Sequence, residues 1–126
     1  MRKLLLVLLT VCFVAAQAYA ASKTEDYELQ EKCEKRAKER FKDDFDAVHY
    51  AYQNHYNKKL NKCFMYVWSL DGARVQYLYD VNEKMDYGMI IIGLNNPKDF
   101  RCRLLLNKHC SSEDEWDAFI KPYMEE

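Results

Sequence analysis

Three histidines, five cysteines and ten tyrosines hold most of the reactive side chains in this 126-residue chain. His55 has the best surroundings of the three histidines. Beside Tyr56 and Asn57 it could act as a general base, but no nucleophile motif accompanies it. His49 and His55 lie six residues apart, which is not one face of a helix. On a strand they would share a face but stand about 20 Å apart, too far to share a metal ion. Asp43, Asp44 and Asp46 could attract calcium, yet they lack the ligand spacing of a calcium loop and its glycine. A zinc site would need four thiolates, or thiolates with His109, and an oxidising compartment works against that. No glycine-rich phosphate loop, nucleophile elbow or zinc-protease helix is present. The expectation is a chain with no metal and no cofactor that leans away from catalysis.

Aromatic side chains are the stronger signal. Tyr50, Tyr52, Tyr56, Tyr66, Trp68, Tyr77 and Tyr79 cluster within residues 50–79. Tyrosine is amphipathic and enriched at binding surfaces. Lys58, Lys59 and Lys62 flank this cluster and make a local basic spot. The expected binding surface is therefore Tyr50, Tyr52, His55, Tyr56, Lys58 and Lys59, with the outer face of the hairpin that follows. An envelope protein or a glycan is the expected partner. The competing readings are a small cell-envelope hydrolase centred on His55 and a purely structural envelope protein.

The N-terminus says where such a partner would be met. Arg2 and Lys3 precede an apolar run from Leu4 to Ala16, and Ala18-Tyr19-Ala20 offers small residues where a signal peptidase reads. That is the pattern of an export signal removed after Ala20, leaving residues 21–126 as one domain in the periplasm or outside the cell. The apolar run is shorter than the roughly 20 residues a membrane span needs, so no stable span is expected after cleavage. Acidic residues number 20 against 19 basic, and the leader takes two of the basic ones with it. The remainder is mildly acidic, which argues against general nucleic-acid binding. Cys33, Cys63, Cys102 and Cys110 then sit in an oxidising compartment, where a disulfide framework is the default. Four cysteines allow three pairings. Chain proximity favours Cys102 with Cys110, leaving Cys33 for Cys63.

These residues need elements to hold them. Leu29, Cys33, Ala37, Phe41 and Phe45 recur every four residues and predict a helix over 22–45, opened by a capping box at Ser22 and Glu25. Glu28/Lys32, Glu31/Lys35 and Glu34/Lys38 support its solvated face. Residues 47–61 lack a clean period and read as a loop leading into a strand. Four strands are predicted next: 60–70, 73–81, 87–93 and 100–106. Asp71-Gly72 is read as a tight hairpin turn between the first two. Both faces of 60–70 are apolar, so that strand should be central. Asn95-Asn96-Pro97-Lys98 should break the sheet before its last strand. Ser112 caps a final helix whose Trp116, Phe119, Ile120 and Tyr123 share one face, and Pro122 should end it near Lys121. The expected fold is α+β: an N-terminal helix packed on a four-stranded antiparallel meander, a short C-terminal helix and two disulfides.

Several blocks are familiar together. Cys33-Glu34-Lys35, the run from His55 to Phe64, Glu115-Trp116-Asp117 and the end from Lys121 to Glu126 resemble a group of small exported bacterial proteins of unknown function. Asp80-Val81-Asn82-Glu83 and Tyr87-Gly88 match more loosely. The resemblance implies a bacterial exported domain and brings no activity, substrate or catalytic residue with it.

Overall fold

The computed structural model describes residues 2–96 and 99–125, with side chains described from residue 23 onward. Helix α1 (Arg2–Asp44) leads into a five-stranded antiparallel sheet: β1 (Tyr50–Asn57), β2 (Lys62–Ser69), β3 (Arg74–Asp80), β4 (Met85–Ile92) and β5 (Phe100–Leu104). A short 3-10 turn at Leu105–Asn107 and helix α2 (Glu113–Met124) complete it. Strand order follows chain order, so the sheet is a plain meander.

The fold class is as expected, with one more strand. Residues 50–57 pair with β2 over the strand's whole length, from Tyr50 opposite Ser69 to Asn57 opposite Lys62. Tyr50, Tyr52 and Tyr56 alternate with Ala51, Gln53, His55 and Asn57, so the tyrosines share the face beneath α1. β2 is inner, as its two apolar faces required. Cys63, Met65 and Val67 pack under Cys33, Ala37 and Phe41 of α1. Phe64 points the other way, into a second core with Leu78, Ile90 and Trp116. The sheet thus carries α1 on one face and α2 on the other.

Three local expectations are corrected. The first helix begins at Arg2, so Ser22 is interior and opens nothing; the run before it holds no glycine or proline to stop a helix. The turn at Asp71-Gly72 is not a two-residue hairpin. Four residues separate β2 from β3, and only Gly72 has positive φ, at 66°. Ser69 closes the loop instead: its hydroxyl donates to the Ala73 carbonyl and accepts from the Val75 N–H. Finally, α2 runs past Pro122 to Met124. The Glu125 N–H reaches the Lys121 carbonyl at 2.8 Å. The buried Asn57 amide donates at 2.9 Å to the Pro122 carbonyl, one of the last-turn carbonyls that the helix itself cannot satisfy. The expected break at Pro97-Lys98 lies outside the described residues, and the expected cleavage after Ala20 falls where side chains are not described.

Two disulfides tie the layers. Cys33–Cys63 joins α1 to β2 across 30 residues, and Cys102–Cys110 closes eight residues behind β5. Closing the longer loop removes more freedom from the unfolded chain. β4 carries a bulge: Leu78 pairs with Gly88 and Tyr79 with Asp86, leaving Tyr87 extra. The bulge turns Tyr87 onto the α2 face, where its ring meets Phe64 at 5.1 Å. It also sets Gly88 under α2. A Cβ there would lie 2.9 Å from the Trp116 ring and 3.1 Å from the Arg103 carbonyl. Gly88→Ala is therefore expected to cost about 1–3 kcal/mol by overpacking, read as a fall in the urea midpoint. An unchanged midpoint would show that α2 is free to shift.

Candidate functional site

The expected binding residues divide between two places. Tyr50 and Tyr52 are half-buried beneath α1, with Tyr52 4.5 Å from the Phe41 ring and Tyr50 5.4 Å from Phe45. They build the first core. His55, Tyr56 and Lys58 come together at the outer edge of β1 and line a groove of 330 Å³ against α1. The opposite wall is Lys23, Asp26, Tyr27 and Gln30, one flank of the helix. Tyr27 is 76% exposed. Lys59 sits in the following turn, outside the groove lining.

β1 is an edge strand, whose outward N–H and carbonyl groups would be open to any passing strand. Gln30 answers part of that: its carboxamide oxygen accepts the Tyr56 backbone N–H at 2.9 Å. Asp26 pairs with Lys58 across the mouth of the groove. The Tyr56 hydroxyl donates to Asn61 Oδ1 at 2.6 Å, which fixes the ring against the turn. Asn61 has φ 51°, a left-handed position that asparagine tolerates better than most residues. The groove floor is thus tied to the turn that follows β1, and its helical wall was the part that sequence reasoning missed. Tyr27 and Gln30 lie within the helix predicted over 22–45, where neither carries an expected role.

The basic spot expected around Lys58 and Lys62 is largely neutralised. Lys58 faces Asp26, while Lys62 bonds Asp80 at 2.6 Å and Glu83 at 2.9 Å. The other two histidines are elsewhere. His109 lies beside β5, its Nδ1 3.1 Å from the Cys102 carbonyl. His49 sits between two carboxylates, with Nδ1 2.8 Å from Asp46 and Nε2 3.8 Å from Asp71. Among the described residues no group of histidine, cysteine and carboxylate side chains could hold a metal ion, and no helix is long and apolar enough to cross a membrane.

His49 makes a pH prediction. The hydrogen bond to Asp46, then the Asp71 charge, raises its pKa above 6.5. A raised folded value means the clasp is complete below pH 6.5 and is lost as pH rises through the folded value. The Val48 N–H and then His49 hold Asp46 below 3.8, so its share is present above that value and fails as pH falls. The clasp is strongest between about pH 4 and 6.5. An NMR titration should place the His49 midpoint above 6.5, and Asp46→Asn should lower it. A midpoint unmoved by that variant would show that Asp46 is not the cause.

Comparison with known proteins adds no identity: no family model, curated protein or solved structure matches the chain.

Proposed function

We propose that this chain is an exported, non-catalytic interaction domain, and that its binding surface is the groove between α1 and the edge of β1. The observation that carries the reading is the groove itself, which sets an exposed tyrosine, Tyr27, opposite a tyrosine hydrogen-bonded to the following turn, Tyr56. Aromatic faces beside amide and charged groups suit an envelope protein segment or a glycan chain, because each offers apolar surface and hydrogen-bonding groups together. The hydrolase reading has less to build on. Among the described residues the groove lining holds no serine, threonine or cysteine, and the Tyr56 hydroxyl is already given to Asn61. Export rests on the leader pattern, on the resemblance to small exported bacterial proteins, and on two disulfides of the kind oxidising compartments maintain.

Amide chemical-shift mapping tests the reading. Soluble glycan fragments and detergent-extracted envelope proteins from an exporting host would be titrated separately into the labelled protein. Shifts centred on Tyr27, Gln30, His55, Tyr56 and Lys58 are expected from one of them, with Tyr27→Ala weakening that binding about tenfold or more. Shifts confined to another face, or none from either extract, would sink the proposal.

A further inference from the structure

The meander brings three turns to one end of the sheet. Residues 58–61 join β1 to β2, 81–84 join β3 to β4, and 105–108 follow β5. Each turn, or the residue that leaves it, presents an exposed aliphatic side chain: Leu60 at 47%, Met85 at 38% and Leu106 at 82%. Each turn also presents an exposed lysine: Lys59, Lys84 and Lys108. Met85 and Leu106 line one groove, so two of the tips are neighbours in space. Among the described residues, the non-glycine positions with positive φ are Asn61, Lys84, Leu106 and Asn107, all in these turns. Asparagine tolerates that backbone, whereas leucine pays strain for it. The Cys102–Cys110 disulfide, and the Leu104 N–H bonded to the Lys108 carbonyl at 2.7 Å, hold Leu106 in place. Leu106 is also the most exposed large apolar side chain among the described residues. The domain holds it in a costly conformation and gains no burial in return.

Single apolar side chains on a surface are ordinary, and the other end of the sheet has its own: Val48, Leu70 and Leu94. Charge tells the two ends apart. Close in the chain to Val48, Leu70 and Leu94 are Asp46, Asp71 and Asp99, all exposed, and Arg74 at that end is held by Glu113. At the lysine end the carboxylates nearest the tips are engaged: Asp26 with Lys58, Glu83 with Lys62, and Asp86 with Arg103. Glu39 and Asp43 border a cleft beside Lys84. They lie beyond Arg36, which donates to Asn82, in the direction of the other end. The course of α1 shows that direction. Phe45 meets Tyr50 at the start of β1, Phe41 meets Tyr52, and Gln30 meets Tyr56 near its end. The helix runs antiparallel to β1, so its N-terminal part leaves the domain at the lysine end.

We infer that this end docks on the surface of an anionic bilayer, with Leu60, Met85 and Leu106 entering the headgroup layer and Lys59, Lys84 and Lys108 meeting lipid phosphates. Aliphatic tips beside lysines suit that boundary. The apolar parts leave water while the ammonium groups stay with the anionic headgroups. The other end, with aspartates beside its aliphatic residues, would be repelled. The path of α1 favours a bilayer over a protein as the occupant. An export leader is held in the membrane until it is cut, so the end of the domain that it leaves from is the end that first faces the bilayer. That last argument rests on the export proposed above. The surface itself is separate from the groove, because none of its six residues lines it.

Co-sedimentation with vesicles tests this, using full-length chain produced through an export pathway with its disulfides formed. One set of vesicles is phosphatidylcholine alone, and the other is equal parts phosphatidylcholine and phosphatidylglycerol. Binding to the anionic set is expected, with much less to the neutral set and a loss in high salt. Leu106→Asp should weaken it about tenfold or more, since aspartate tolerates the left-handed backbone but is kept out of the headgroup layer. The pair Lys84→Asn with Lys108→Gln should weaken it about tenfold or more through lost charge. Leu70→Asp, at the opposite end, should leave it unchanged. Circular dichroism melts would confirm that each variant is folded, and intact mass would show whether the leader has been removed. No binding to either set, or equal binding to both, overturns the inference. So does binding that Leu106→Asp and the lysine pair leave intact, which would place it on a retained leader or another face. A loss as large from Leu70→Asp overturns it too.

Discussion

Truncating Trp116 to alanine is expected to cost about 3–5 kcal/mol, among the largest effects any single side chain here can have. The indole is fully buried and has the largest volume of any side chain in the interior. It fills the space between α2 and the sheet, over the gap that Gly88 leaves open. Phe64, Leu78, Ile90 and the Cys102–Cys110 disulfide surround it. These neighbours belong to strands already paired on both sides or tied by a disulfide, so they cannot collapse into the void. The helix that carries Trp116 is well started. Ser112 Oγ accepts the Glu115 N–H, and the Glu115 carboxylate takes both the N–H and the hydroxyl of Ser111. The loss should therefore be one of packing with the helix still formed. Phe119 is only half-buried beside the same ring, and Phe119→Ala should cost distinctly less. Urea unfolding followed by far-ultraviolet circular dichroism would read both. A Trp116→Ala loss below about 1 kcal/mol would mean that the second core is far more plastic than its burial implies.

What could be read from the sequence was whatever depends on period. The Cys33-Ala37-Phe41 ridge, the two-sided apolar character of β2 and the Trp116 face of α2 are patterns of single elements, and each was legible. β1 was legible in part: Tyr50, Tyr52 and Tyr56 keep a period of two, but Asn54 interrupts it. Asn54 lies on the α1 face with those tyrosines, so polarity and burial disagree there. The loop after Ser69 was misread because its closure is a side-chain event. Asp-Gly signalled a tight turn, while the Ser69 hydroxyl made a wider one. The end of α2 also rests on a side chain. The partner that completes its end is Asn57, 65 residues earlier in the chain, and no local pattern announces a bond of that span. The groove belongs to the same class. Its strand wall, His55, Tyr56 and Lys58, stood out as aromatic and basic. Its helix wall, Asp26, Tyr27 and Gln30, faces the strand only because the Cys33–Cys63 bond and the Ala37 contact fix how α1 lies on the sheet.

The second large effect concerns a charge that the fold buries deliberately at a turn. Asp80 ends β3 with its side chain inaccessible to water. One oxygen accepts the backbone N–H groups of Asn82 and Glu83, both at 3.0 Å, which shapes the turn into β4. The other accepts from Lys62 Nζ at 2.6 Å, and Lys62 also lies 5.7 Å over the Tyr87 ring. Lys62→Met should cost about 3 kcal/mol, because it strands a buried carboxylate with only backbone donors. Asp80→Asn should cost less, since the amide oxygen can still serve the turn while the lysine keeps Glu83. The double variant should recover part of the Lys62→Met loss, as a coupled pair requires. Additive losses would show that the two residues act independently. The pair also sets an alkaline limit. Its bonds to Asp80 and then Glu83 raise the Lys62 pKa above 10.5. Burial, and then the Asp86 charge, pushes the Tyr79 phenol up from 10.0 to about 12. For both groups the folded value exceeds the unfolded one, so their contribution is whole below about pH 10 and is lost as pH rises through the folded values. Stability should hold to about pH 10 and then fall, and Tyr79→Phe should make that fall shallower, because one of the groups releasing a proton on unfolding is gone.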